Sequence, residues 1–459
     1  MRPYILLLCV ATVTLTGCGH SDEEAKSKTG VPLSINNPAK GKSSKPKLKK
    51  DISNPVVEDL LKKAREETQK GQFATAVESL SQAIGLDPQD SRLFHARAEV
   101  YVMIGENANA QADFSLAIAA NPTDARLYNI RGYFLMTHGA SDKALSDFDK
   151  ALEINPKFPQ AWNNKGLAYL AAQDNEKAES AFAKAIESDR KYSDAWNNRG
   201  FARMKLGKMK DAIADLNQAV KVRPDYATAW NNSGLVYMKQ DDFAAAAKAF
   251  SKAVELEPLN SRWLTNRREA LLRQEDFDKA SEDTIRIKWL ARLNAYSEKA
   301  RLQPENVEAW LLRADHLMFG DEVDLAVGDY DRVLALSPGN TEALTGRAKA
   351  YLQTGQIKEA IGDLDESLII SQTSEAFSAR GDAWFALKQY DEAIADFESA
   401  QRFDEVVSKA YRARADEHQG AGREDDAKAD LQKAQEIDDF LSGKAIPKEV
   451  ERAPDFPEE

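Results

Sequence analysis

Residues 159–192 read PQAWNNKGLAYLAAQDNEKAESAFAKAIESDRKY, and residues 193–226 read SDAWNNRGFARMKLGKMKDAIADLNQAVKVRPDY. Set one under the other, they coincide at Ala161 and Ala195, Trp162 and Trp196, Gly166 and Gly200, Ala178 and Ala212, and Ala185 and Ala219, a step of 34 residues. Inside each stretch the apolar residues recur at helical spacing in two blocks, 159–172 and 176–188 in the first. A unit is therefore two short helices and a turn, repeated.

The same step runs outward in both directions. Ala76, Ala110, Ala144, Ala178, Ala212, Ala246 and Ala280 keep it, as do Pro88, Pro122, Pro156, Pro224 and Pro258, with Arg190 where one Pro is missing. After a break it resumes at Ala326, Ala360, Ala393 and Ala427. A turn residue, often glycine (Gly71, Gly105, Gly139, Gly207, Gly355, Gly422), separates the two blocks. Large residues at position 4, small ones at 8, Ala at 20, an aromatic at 24, Ala at 27 and Pro at 32 make a pattern that resembles the tetratricopeptide repeat. The resemblance implies an all-α fold, a right-handed superhelical solenoid of about eleven helix-turn-helix repeats. The units are expected at 57–90, 91–124, 125–158, 159–192, 193–226, 227–260, 261–306, 307–340, 341–373, 374–407 and 408–441. One hairpin cannot bury its apolar faces alone, whereas a stack can.

Composition excludes several classes of function. The chain is 43% apolar and 30% charged, with a formal net charge of −12, so the dense basic face of a nucleic-acid binder is not expected. Two cysteines, Cys9 and Cys18, cannot make a disulfide framework or a Cys-based zinc site. The histidines (His20, His95, His138, His316, His418) are scattered and lack metal-ligand spacing. There is no Gly-rich phosphate loop, GxSxG or paired Cys and His nucleophile, so no enzyme, metal or cofactor is expected.

Comparing the units with one another reveals a charge pattern. Position 7 is Arg97, Arg131, Arg199, Arg267, Arg313, Arg347, Arg380 or Arg414 in eight units. Sixteen residues on stand Asp113, Asp147, Asp215, Asp283, Asp329, Asp363, Asp396 and Asp430. The other three units carry Lys63, Lys165 and Ser233, opposite Ser79, Ala181 and Ala249. Residues that appear and vanish together predict contact, here a forked guanidinium on a carboxylate between the helices of one hairpin.

In tetratricopeptide superhelices helix A lines the concave groove, mainly through positions 2, 5, 9, 12 and 13. In the middle units these positions and their neighbours hold Asn129, Asn163, Asn164, Asn197, Asn198, Asn231, Asn232 and Asn266, beside Tyr133, Met136, Leu167, Leu170, Phe201, Met204, Leu235 and Met238. An amide both donates and accepts, so a row of them suits the backbone of an extended peptide. The row resembles the asparagine ladder of the O-GlcNAc transferase superhelix; bonding between hairpins is the alternative use. Toward the C-terminus the groove turns acidic (Glu308, Asp315, Glu342, Glu375, Asp382, Asp416), which would suit a basic ligand.

Unit seven breaks the rhythm: Ala280 to Pro304 spans 24 residues where 12 are expected. The surplus, 281–306, reads as about three extra turns on helix B, carrying Trp289, Leu290, Leu293 and Tyr296. It divides an array at 57–280 from one at 307–441, as a joint or as a partner or dimer contact.

Residues 1–17 read as an export signal, with Arg2 before an apolar run from Ile5 to Leu15 too short to span a bilayer. Leu15-Thr16-Gly17-Cys18 resembles the lipobox of bacterial lipoproteins, in which cleavage precedes the Cys and that Cys is acylated, as by palmitate. The resemblance implies lipidation of Cys18 and a place in a bacterial cell envelope. Gly19 in place of Asp favours an outer membrane where the cell has one. Residues 18–56 then form a lipidated linker rich in Lys and Ser, including Lys40, Lys42, Lys45, Lys47, Lys49 and Lys50, and 442–459 an acidic tail with several Pro. The expectation is a membrane-anchored scaffold or adaptor whose partners are proteins or peptides, for assembly of an envelope complex, as in tetratricopeptide lipoproteins of this build. The alternative is a self-associating envelope component. Partner identity and oligomeric state are not written in the sequence.

Overall fold

The computed structural model describes residues 54–444; Cys18, the signal, most of the linker and residues 445–459 lie outside them. Twenty-two helices follow one another with no strand among the described residues. They pair into eleven antiparallel hairpins, α1–α2 through α21–α22, in a helical solenoid. The regular unit has a helix A of 13 residues and a helix B of 14, as in α7 (Pro159–Ala171) and α8 (Asn175–Ser188).

Each hairpin closes where the small residue at position 8 meets the large one at position 24. A methyl added at Gly166 would sit 2.5 Å from Phe182 Cε1, so the glycine admits the ring. Phe114, Phe148, Phe182 and Phe250 are all buried there. The A-to-B turn needs a left-handed residue. The six turn glycines named above have φ between +74° and +79°. Gln173, Asp241, Glu275, Asp321 and Lys388 take the same conformation without glycine's freedom.

The tryptophan at position 4 pins the B-to-A loop. Trp162, Trp196, Trp230 and Trp310 donate from Nε1 to the carbonyls of Pro156, Arg190, Pro224 and Pro304. The acceptor is a backbone oxygen, which is why Arg190 serves where the proline is missing. Besides packing on its own helix B and the one before it, helix A touches the next helix A along α5 (Ala125–Thr137), α7, α9 (Ser193–Lys205), α11 (Ala227–Lys239) and α13 (Ser261–Arg273). It does so again along α15 (Val307–Phe319), α17 (Thr341–Gln353) and α19 (Ser374–Ala386). Elements approach most closely on the inner wall of a curved stack, so helices A line the concave side.

Three boundaries differ from expectation. Helix α1 starts at Pro55, inside the expected linker, because Asn54 caps it through Val56 N–H. Helix α20 (Tyr390–Ser399) stops early at Gln401, φ +52°, and α21 then starts at Glu405, not 408, under the Asp404 cap. Residue 281 marks no boundary, since α14 runs unbroken from Phe277 to Leu302, 26 residues against 14 in α12.

The added turns of α14 are interior structure. Trp289, Leu290 and Leu293 are buried in one cluster with Ala314, Leu317 and Tyr330 of the next hairpin. The second half of α14 thus gives α15 a surface to pack on. No helix of the described residues is long and apolar enough to cross a membrane.

Candidate functional site: the concave face and the bonds that shape it

All eight position-7 arginines fork onto the aspartate sixteen residues ahead. Nε donates to Oδ2 at 2.6–2.9 Å, and Nη2 donates to Oδ1. The aspartates are buried, a setting in which a carboxylate must be paired. The hydrogen bond to its aspartate raises the pKa of Arg97, Arg131, Arg347, Arg380 and Arg414 above the ordinary guanidinium value. Burial pushes the Asp329 carboxyl up, and Arg313 holds it only partly down.

Sequence reasoning missed that the third donor looks backward. Nη1 of Arg97 and Arg131 reaches Ser81 and Ser115, and Nη1 of Arg347 and Arg380 reaches Asp331 and Asp365, all on helix B of the preceding hairpin. Lys165 reaches Asp149 in the same way. The signal was present, since four of these five acceptors lie sixteen residues before the cation. In the units without the pair, Ser79 donates to Glu67 and Ser233 to the Ala229 carbonyl.

The asparagine row bonds hairpin to hairpin. Asn164, Asn198, Asn232 and Asn266 donate from Nδ2 to Oδ1 of Asn129, Asn163, Asn197 and Asn231, each in the unit before, at 2.7–3.0 Å. Asn197 also donates to Asn198 Oδ1. Asn163, Asn197, Asn231 and Asn232 are buried; Asn129, Asn164 and Asn198 are half-buried. These amides take the alternative use foreseen above, because the acceptor turned toward each next unit is filled by that unit.

Apolar side chains remain to face the groove. Tyr133, Leu167, Phe201 and Leu235, all at position 9, are half-buried and repeat along four successive hairpins, with Met136 and Met238 beside them. Leu170 and Met204 are buried and belong to the core. Tyr192 and Tyr226 stand at the N-terminal ends of α9 and α11, where burial raises both hydroxyls above the ordinary tyrosine value. Asp194 receives Arg223 Nη2 at 2.6 Å, and the Arg223 guanidinium lies 3.4 Å over the Tyr226 ring.

Toward the C-terminus four of the six acidic groove residues are engaged within the chain, while Glu342 and Asp416 are exposed. Glu375 pairs with Lys349, Asp382 with Arg402 and Glu308 with Lys299, while Asp315 accepts from the Tyr330 hydroxyl. At the other end a concavity of about 1310 Å³ spans the first three hairpins, lined by Arg65, His95 and Glu99 among others. The sequence reading did not single it out, because no one residue type repeats there. His95 Nε2 is buried in its wall without a hydrogen bond.

A tetratricopeptide repeat family model matches at residues 61–125, 95–161, 131–195, 163–213, 197–261, 233–284, 290–341, 312–375 and 345–406. No curated protein matches the chain. Similar solved structures include PilW, described as a widely conserved type IV pilus biogenesis factor, at 20% identity over 48% of this chain and 100% of that one, TM-score 0.41. YrrB, described as a TPR protein with an unusual peptide-binding site, matches at 19% identity over 42% of this chain and 99% of its own, TM-score 0.34. The pilF protein of Pseudomonas aeruginosa matches at 20% over 49% and 97%, TM-score 0.33. Repeat solenoids of this kind typically serve as protein-interaction scaffolds through their extended concave surfaces. With family matches covering most of residues 61–406, the chain belongs to the tetratricopeptide repeat family.

Proposed function

We propose that this protein is a scaffold that holds an extended segment of a partner protein along the concave face of units three to six, at a bacterial cell envelope, tethered by lipid on Cys18. The observation that carries the binding half is the row Tyr133, Leu167, Phe201 and Leu235, four large apolar side chains half-exposed at one position of successive hairpins. Buried amide bonds behind them fix their spacing, and a surface already rigid binds with less entropy to lose. Met136 and Met238 add adaptable apolar contacts. The tether rests on the lipobox-like Leu15-Thr16-Gly17-Cys18, with the Lys-rich linker as the spacer between bilayer and groove.

A displayed peptide library selected on the protein tests the groove. Selected peptides should lose at least about tenfold in affinity for a Phe201→Ser, Leu235→Ser double variant that keeps its helical content. Peptides that bind both proteins alike overturn the site. Growth with a clickable fatty acid tests the tether: label should enter the wild type and be absent from Cys18→Ser.

A further inference from the structure

We infer that the middle groove selects an acidic partner segment, one whose carboxylates are spaced about three residues apart among apolar side chains. This deepens the groove reading above and rests on it. The chain carries a net charge of −12, yet this stretch of its inner wall presents cations that nothing in the described residues neutralises. Lys205 and Lys239 hold position 13 of α9 and α11, one turn beyond Phe201 and Leu235, and both are exposed. The Lys205 ammonium lies 5.4 Å from the centroid of the Phe201 ring, which puts the charge directly beside the apolar floor. Arg262 adds an exposed guanidinium at the opposite rim, resting on the Trp263 ring.

Carboxylates in the same stretch are already engaged. Asp194 is taken by Arg223, Glu269 by Arg273, and Glu179 by Arg203 and Lys208. An incoming acidic segment therefore meets free cations beside the apolar row, whereas a basic one must compete with the existing pairs at Asp194, Glu179 and Glu269. Adjacent packed helices lie roughly 10 Å apart, and an extended chain advances about 3.3 Å per residue, so successive lysines of the rim match every third residue of the guest. Charges at a rim act through encounter rate and selectivity, and their effect fades with salt.

The test uses the full chain and three short synthetic peptides: repeated Leu-Ser-Glu, and twins with Gln or Lys for every Glu. The Glu peptide should bind about tenfold or more tighter than the Gln twin at low salt, the Lys twin weakest, with the gap closing as salt rises. A Lys205→Glu, Lys239→Glu variant should reverse the order of the Glu and Lys peptides. Equal binding of all three, or an order unchanged by the double variant, overturns the charge selectivity and leaves the groove standing. Binding of none overturns the groove reading itself.

Discussion

Trp289 and His316 hold the two arrays together. Their rings stack with centroids 5.0 Å apart, the indole N–H donates to the His316 carbonyl, and His316 Nε2 lies 3.0 Å from the Trp289 carbonyl. The Arg286 guanidinium lies 4.0 Å from the centroid of the indole, donates to the Gly320 carbonyl and pairs with Glu322. In a repeat array each unit contacts only its neighbours, so a weakened junction lets the two sides unfold apart. Trp289→Ala should remove about 3–5 kcal/mol at the joint and split the urea transition into two. Gly320→Ala should do likewise, because its methyl would meet Trp289 Cζ2 at 2.0 Å. One unshifted transition in both variants would mean that the arrays do not depend on this contact.

The ion-pair ladder calls for a charge swap at a chosen unit. Asp215 is a poor place for it, since Arg203 as well as Arg199 donates to that carboxylate. Arg267 and Asp283 bond only to each other. Either single reversal leaves a buried charge unpaired and should destabilise by about 3–5 kcal/mol, whereas Arg267→Asp with Asp283→Arg should recover a large part of it. A double variant no better than the worse single would show that the fork matters less than the packing around it.

These two sites show what the sequence could and could not reveal. The forks were legible because both partners lie in one unit at a fixed separation, so eleven units acted as their own comparison. The extension of α14 was legible as length without breakers. Its purpose was not, because Trp289 meets its partner 27 residues on, outside the period. The asparagine row was visible as a row, but whether an amide faces a guest or the next hairpin depends on the helix-to-helix approach, which no single unit encodes. The exposed Lys205 beside Phe201 was likewise hidden among ordinary surface charge.

The amide row makes its own forecast. Replacing Asn163, Asn197 and Asn231 with Ala removes the acceptors of Asn198, Asn232 and Asn266. The buried Asn197 and Asn232 also contact each other, so that link should be the most sensitive. An unsatisfied buried amide costs about 1–3 kcal/mol, and the triple variant should lose several times that in chemical denaturation. A midpoint unchanged from wild type would return these amides to the groove as free ligands for a guest.

Glu99 predicts a pH dependence. Burial raises its carboxyl above the ordinary carboxylate value, and His95 and then Arg65 pull it partly back. A raised folded value means that the folded state holds the proton more tightly than the unfolded one. The favourable contribution is therefore present below the ordinary value and is lost as pH rises through the folded value. At pH 7, above the ordinary carboxylate value, the raised Glu99 works against folding, so Glu99→Gln should raise the melting temperature there. The difference should vanish near pH about 3.5, where both states are protonated. A melting point unchanged or lower at pH 7 contradicts the assignment.

The A-to-B turns offer the simplest stabilisation. Every one of these turns closes through a left-handed residue just past the last turn of helix A, and at Gln173 that residue has φ +61° while carrying a side chain. An L-residue in this conformation places Cβ near its own carbonyl at a cost of about 1 kcal/mol, which glycine avoids. Gln173 makes its turn bond through the backbone, N–H to the Leu170 carbonyl, so the side chain can be removed without breaking a contact. Gln173→Gly should therefore stabilise by up to about 1 kcal/mol, reduced by the extra freedom glycine gives the unfolded chain. The reverse change, Gly139→Ala, imposes the same strain at φ +79°, where nothing lies within 4 Å of the added methyl. It should destabilise by a similar amount, and because no steric clash contributes, the loss would measure backbone strain alone. Thermal melts of the two variants should shift in opposite directions; shifts of the same sign would mean that the left-handed turn is not what limits these hairpins.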